Sequence, residues 1–120
     1  MATNPSSILD STKKILGLTV DYDVFDLDVI AHINTALTTL TEIGVGPEGG
    51  FFITNQDETW EELIGTDARL NSVRSYVYLR VRLLFDPPTS SFAIASMEKQ
   101  LQEMEWRLSV AADKEGRQQS

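Results

Sequence analysis

Apolar residues recur along this chain at spacings of three and four, the signature of helices that bury one face. The pattern is clearest over 24–43, where Val29, Ile30, Ile33, Ala36, Leu37, Leu40 and Ile43 share one face and Gly44 ends the run. Asp23 is the expected N-cap there, with Asp26 and Asp28 in the first turns, where the helix dipole favours acids. An earlier helix is expected over 6–16: Ser7 and Asp10 approximate a capping box, Ile8, Leu9, Ile15 and Leu16 are its apolar residues, and Gly17 is the stop. A short helix holding Trp60, Leu63 and Ile64 follows, capped by Asp57 and closed by Gly65.

Thr66 or Asp67 then opens a longer helix reaching Phe85. Leu70, Val73, Val77, Val81 and Leu84 form one stripe on it, while Tyr76, Leu79 and Leu83 form a second on nearly the opposite side. A helix apolar on two sides sits between neighbours. Asp86-Pro87-Pro88 stops it. Ser/Thr caps at 89–91 start a final helix over 91–112, whose Ile94, Met97, Leu101, Met104, Leu108 and Ala111 make a narrow packing seam. The expectation is an all-α, single-domain bundle of four to five helices over 1–112, with a long C-terminal helix and a polar tail over 113–120. Between the second and third helices, Gly44-Val45-Gly46-Pro47-Glu48-Gly49-Gly50 is loop chemistry, and Phe51-Phe52-Ile53-Thr54 reads as a short extended segment or the arm of a loop.

Composition narrows the chemistry. The chain has 120 residues, one domain's worth, with 42% hydrophobic and 23% charged residues. It has no cysteine and one histidine, His32, so thiolate, cysteine–zinc and Cys–His arrangements lack their parts. No apolar run approaches the roughly 18 residues of a membrane span. Residues 1–5 lack both a basic and an apolar region, so no signal peptide is expected and synthesis is expected in the cytoplasm.

Net charge is −8, which opposes general attraction to nucleic acid or anionic membranes. It is unevenly spread: residues 1–65 carry −9, and residues 66–85, with Arg69, Arg74, Arg80 and Arg82 against Asp67, carry +3. A chain with an acidic and a basic face can pair with copies of itself head to tail.

Three motif readings fail on context. Gly44, Gly46 and Gly49 match G-x-G-x-x-G, but a helix precedes them, Pro47 removes a donor and Glu48 repels phosphate. The acidic turn from Asp21 lacks the ligands of a calcium loop, with Phe25 at the fifth place, Asp26 at the sixth and His32 at the twelfth. A helix–turn–helix regulator is the alternative reading of the last two long helices, with the arginines meeting phosphate. Asp86-Pro87-Pro88 makes a poor tight turn for it, and the final helix is near neutral to acidic. No cofactor, metal site or catalytic constellation is expected.

Several runs resemble the head–tail connector (adaptor) proteins of tailed bacteriophages. They are Ser7-Ile8-Leu9-Asp10-Ser11-Thr12-Lys13-Lys14-Ile15-Leu16-Gly17-Leu18, Asp26-Leu27-Asp28-Val29-Ile30-Ala31-His32-Ile33-Asn34, and Leu40-Thr41-Glu42-Ile43-Gly44-Val45-Gly46-Pro47 leading to the Trp60 helix. The fullest runs from Asp67 through the four arginines to Asp86-Pro87-Pro88, followed by a Ser/Thr-capped helix with Met97, Leu101, Glu105, Trp106 and Arg107.

The resemblance, over about 6–110, implies a structural, non-catalytic subunit of a dodecameric ring under the portal of a DNA-filled capsid. Its implied partners are itself, the portal protein, a stopper or tail-completion protein, and DNA passing through the lumen without sequence-specific binding, with no membrane. Its implied location is the virion neck, after assembly in the host cytoplasm. Carried onto this chain, the portal-side candidates are Leu101, Met104, Leu108, Asp113, Lys114 and Arg117. The inter-subunit candidates are Phe51 and Phe52, joined by Arg69, Arg74, Arg80 and Arg82.

Overall fold

In a computed structural model, residues 4–119 are described, with side chains through Asp113. The chain forms α1 (Ile8–Ile15), α2 (Asp26–Glu42), α3 (Trp60–Ile64), a 3-10 turn (Ala68–Leu70), α4 (Val73–Phe85) and α5 (Ser91–Gln119). There is no sheet among the described residues, only an isolated antiparallel bridge between Ser7 and Thr59. The all-α expectation holds. The body measures 45 × 36 × 21 Å. Helix α4 packs against both α2 and α5, and α1 rests on both α2 and α4; of the first expected stripe Leu70, Val73, Val77 and Val81 are buried, but Leu84 is 43% exposed. Val73, Tyr76, Val77 and Val81 of α4 are fully buried among Val29, Ile33, Leu37 and Leu40 of α2 and Leu101 and Leu108 of α5.

Helix starts differ from the sequence expectation in three places. The N-cap of α2 is Phe25, without a side-chain bond, rather than Asp23, whose carbonyl accepts from the Asp26 N–H in a turn before the helix. Asp57 does not cap α3; Thr59 does, in a reciprocal box with Glu62 that satisfies two end N–H groups at once. The helix expected to open at Asp67 is split. Asp67 accepts from the Arg69 backbone N–H at 2.9 Å and also binds its guanidinium. That tightens the chain into a 3-10 turn, and α4 begins only at Val73. At the other end, α5 runs to Gln119, beyond the expected 112.

The burial of α1 also departs from its apolar pattern. Ile8 and Leu9 are buried as expected, but Ile15 is 48% exposed, whereas Ser7, Ser11, Thr12 and Lys13 are buried. The cause is a partner distant in sequence. The Ile8 N–H donates to Glu58 O, the Trp60 N–H donates to Ser6 O, and Trp60 Nε1 donates to Ser11 Oγ at 2.9 Å. The hydroxyls of Ser11 and Thr12 donate back to helix carbonyls, each at 2.7 Å, so no donor is left unpaired. Lys13 Nζ lies 2.8 Å from Asp26 Oδ1 and donates to Val20 O at 3.1 Å, pinning the chain between α1 and α2.

The segment after the glycine loop is neither strand nor helix. Asn34 of α2 donates to Ile53 O at 3.0 Å and accepts from the Ile53 N–H at 2.8 Å, standing in for a neighbouring strand. Gly46 has φ +96°, and a Cβ there would lie 3.1 Å from Leu63 Cδ1, so the loop needs glycine at that position.

Removing one partner of a buried ion pair leaves an uncompensated charge. Asp26→Asn is expected to cost about 2 kcal/mol in urea unfolding, less than for a fully buried pair because Asp26 is partly exposed. Lys13→Met combined with Asp26→Asn is expected to restore part of that loss, since the charge is then gone as well.

Candidate functional site

The four arginines expected at inter-subunit contacts meet different fates within the subunit. Arg69 grips Asp67, with Nε and Nη2 at 3.2 and 3.1 Å from its two oxygens. Arg80 lies 3.3 Å from Glu105 of α5, and Tyr76 donates to the same oxygen at 2.8 Å. Arg74 sits 5.3 Å above the Trp60 ring in a cation–π contact. Arg82 is exposed and makes no side-chain bond or ion pair among the described residues. Two of the four therefore join the bonds that hold the fold together.

Of the paired phenylalanines, Phe51 packs against the core and Phe52 stays 56% exposed beside α2. On α5, Leu101 and Leu108 are buried and Met104 half-buried against the core, so these three anchor the helix to its own subunit. Asp113 is exposed, and the side chains of Lys114 and Arg117 lie outside the described residues. The face of α5 that meets solvent carries Phe92, 84% exposed, and Trp106, 68% exposed, two heptads apart. The core seam read from the sequence leaves Phe92 and Trp106 outside it but gives them no surface of their own; the signal for one is the seven-residue spacing of Phe92, Lys99 and Trp106, nearly opposite Ile94, Leu101 and Leu108.

A third apolar surface lies at the turn into α2. Val24 and Leu27 are exposed there, Tyr22 stacks edge-on to Phe25, and Phe25 stacks on Phe85 of α4 at 5.4 Å. The ring of His32 faces Phe85 edge-on as well.

Reactive chemistry is sparse. Among the described residues no group of three or more histidine, aspartate or glutamate side chains is placed to hold a metal ion. No helix among them is long and apolar enough to cross a membrane. Burial pushes the Tyr76 phenol well above the ordinary tyrosine range, and its bond to Glu105 adds to the effect. Glu58 moves the other way. Burial raises its pKa, but hydrogen bonds from the Thr54 hydroxyl and from the Asn55 and Thr54 N–H groups outweigh it and hold the carboxylate below its usual value. Both groups brace the fold, one joining α4 to α5 and the other closing the turn before α3.

Residues 8–115 match the family model described as Phage connector protein. The match spans nearly the whole chain, and the protein belongs to that family, whose members are structural components of phage particles. Neither the curated proteins nor the solved structures gave a match.

Tyr76→Phe removes the hydroxyl between α4 and α5 and leaves Glu105 to Arg80 alone. The expected loss is about 1–2 kcal/mol by chemical denaturation at neutral pH. The folded state holds the Tyr76 proton to a higher pH than the unfolded chain does, so the stability it contributes is complete below about pH 10 and declines above it. The wild type should therefore lose stability relative to Tyr76→Phe as pH rises beyond that value.

Proposed function

Starting from membership of the phage connector family, we propose that this protein is a head–tail adaptor that forms a dodecameric ring beneath the portal. The ring lengthens the DNA channel, joins the capsid to stopper or tail-completion proteins, and passes the genome at ejection without reading its sequence. Assembly takes place in the host cytoplasm and the finished ring resides in the virion neck. The observation that carries the reading is the family match over 8–115.

Physical features of the subunit support it. A net charge of −8 suits a lumen along which DNA slides without its phosphates being held. Two of the four α4-region arginines are tied to Asp67 and Glu105, which leaves little of the concentrated positive charge a DNA-binding regulator needs. The exposed part of α5 carries Glu98 and Glu103 beside Lys99 and Arg107, unlike a helix that enters a groove. The role is taken as structural rather than enzymatic because the phage connector family is a structural one.

Portal docking is assigned to the end of α5 from Asp113 onward, with Asp113, Lys114 and Arg117 as its charged contacts. Leu101, Met104 and Leu108 serve that contact by fixing the helix to the subunit. Phe51, Phe52, Arg69, Arg74, Arg80 and Arg82 remain the candidates for neighbouring copies, with Phe52, Arg69, Arg74 and Arg82 exposed and Phe51 and Arg80 half-buried.

The test combines purified chain with portal rings and with portal-bearing heads, read by sedimentation and electron microscopy. A ring bound beneath the portal is the expected result; a chain that binds neither overturns the reading. Truncation after Ala112 is expected to weaken portal binding about ten-fold or more, with a steeper salt dependence for the full chain. Unchanged binding by the truncated chain would remove the docking role from the segment after Ala112.

A further inference from the structure

Helix α5 is held to its subunit along only part of its length. None of the residues from Ser91 to Gln100 is buried. Leu101 and Leu108 are the buried anchors, with Met104, Ala111 and Ala112 half-buried against the core. Between Leu108 and Asp113, only Ala111 and Ala112 pack against the core. The last hold on the helix is thus a pair of methyl groups.

Ala112 meets the loop that ends α2. A Cβ added at Gly44 would lie 3.6 Å from the Ala112 methyl carbon, and outside its own chain neighbours it would meet nothing else within 4 Å. The α2 side of this contact is fixed. The Gly44 N–H donates to Thr41 O at 3.1 Å and the Val45 N–H to Leu40 O at 2.8 Å, the paired bonds of a glycine-terminated helix. Gly44 has φ +91° and Val45 is buried behind it. The end of α5 therefore rests on a braced surface made by the end of α2.

Little else supports it there. Thr41, Val45, Leu63, Leu70 and Ala112 line a cleft of about 490 Å³ beside the contact, so open space adjoins it in place of packed side chains. Helix α5 continues from Ala112 to Gln119, about 10 Å at 1.5 Å per residue. A tilt of about 20° at Ala112 moves that end by roughly 4 Å, enough to spoil the fit of a closely packed interface.

We propose that the Gly44–Ala112 contact is a seat that positions the docking end of α5: it sets the direction in which the segment from Asp113 onward is presented to the portal. The inference rests on the portal-docking reading above and adds the two residues that aim the docking end. Glycine at 44 serves twice, in the cap of α2 and by leaving room where a side chain would press on Ala112.

The test places Gly44→Asn in the full chain. Asparagine is the residue besides glycine that helix ends accept at positive φ, so the cap is kept while the new side chain presses on Ala112. The variant is expected to melt within about 5 °C of wild type and to bind portal rings about ten-fold more weakly. In a chain truncated after Ala112, the same substitution is expected to change the residual binding by less than about two-fold, because the segment it misdirects is gone. Ala112→Leu puts the bulk on the other side of the contact, is expected to behave alike, and replaces Gly44→Asn if that chain does not fold. Wild-type portal binding by the folded variant would overturn the proposal. An equal loss in the full and truncated chains would overturn it too, by placing the effect outside the docking end. If truncation alone leaves portal binding unchanged, the docking reading itself falls and the proposal with it.

Discussion

Val73, Tyr76, Val77 and Val81 of α4 have no contact with water, and they spread over a broad face of the helix. Each such burial stabilises the fold by roughly 1.5–3 kcal/mol, so that whole face needs apolar cover at once. Helices α2 and α5 supply it, and their places are set by that requirement. The polar tip of Tyr76 would make this arrangement costly if left unpaired. Its bond to Glu105, shared with Arg80, turns it into the tie that fixes α5 along α4.

The same helix supports the N-terminal third. Tyr78 meets the Trp60 ring edge-on at 5.7 Å and Arg74 lies over its face, while Trp60 Nε1 reaches Ser11 of α1. Around this indole, α1, α3 and α4 become one unit. Lys13 then extends it to the start of α2 through Asp26 and Val20 O. A chain braced in this way keeps its outer faces in fixed relation. The acidic and basic character read from the sequence is partly consumed inside the subunit, by the pairs Lys13–Asp26, Arg69–Asp67 and Arg80–Glu105.

The identity of the helices and their order were legible in the sequence, because 3,4 periodicity and the Gly and Asp-Pro-Pro stops are local properties. The absence of recognised metal, thiol and nucleotide motifs was legible for the same reason: those motifs have fixed spacings. The runs from Ser7 and from Asp67 also carried the family resemblance, which the match over 8–115 bears out.

Tertiary structure alone decided where polar residues go. Lys13 is buried and Ile15 exposed because residues 58–60, distant in sequence, cover the polar side of α1. Asp23 and Asp57 lose the capping roles that their positions favoured, since Asp23 lies in a backbone turn before α2 and α3 is capped by Thr59 in its exchange with Glu62. On α5 the seam read from the sequence, with Leu101 and Leu108 in it and Trp106 outside it, is the side that is buried. Periodicity shows that a helix has a buried apolar face. Which polar side chains are buried beside it depends on contacts between segments far apart in the chain, and local sequence does not encode those.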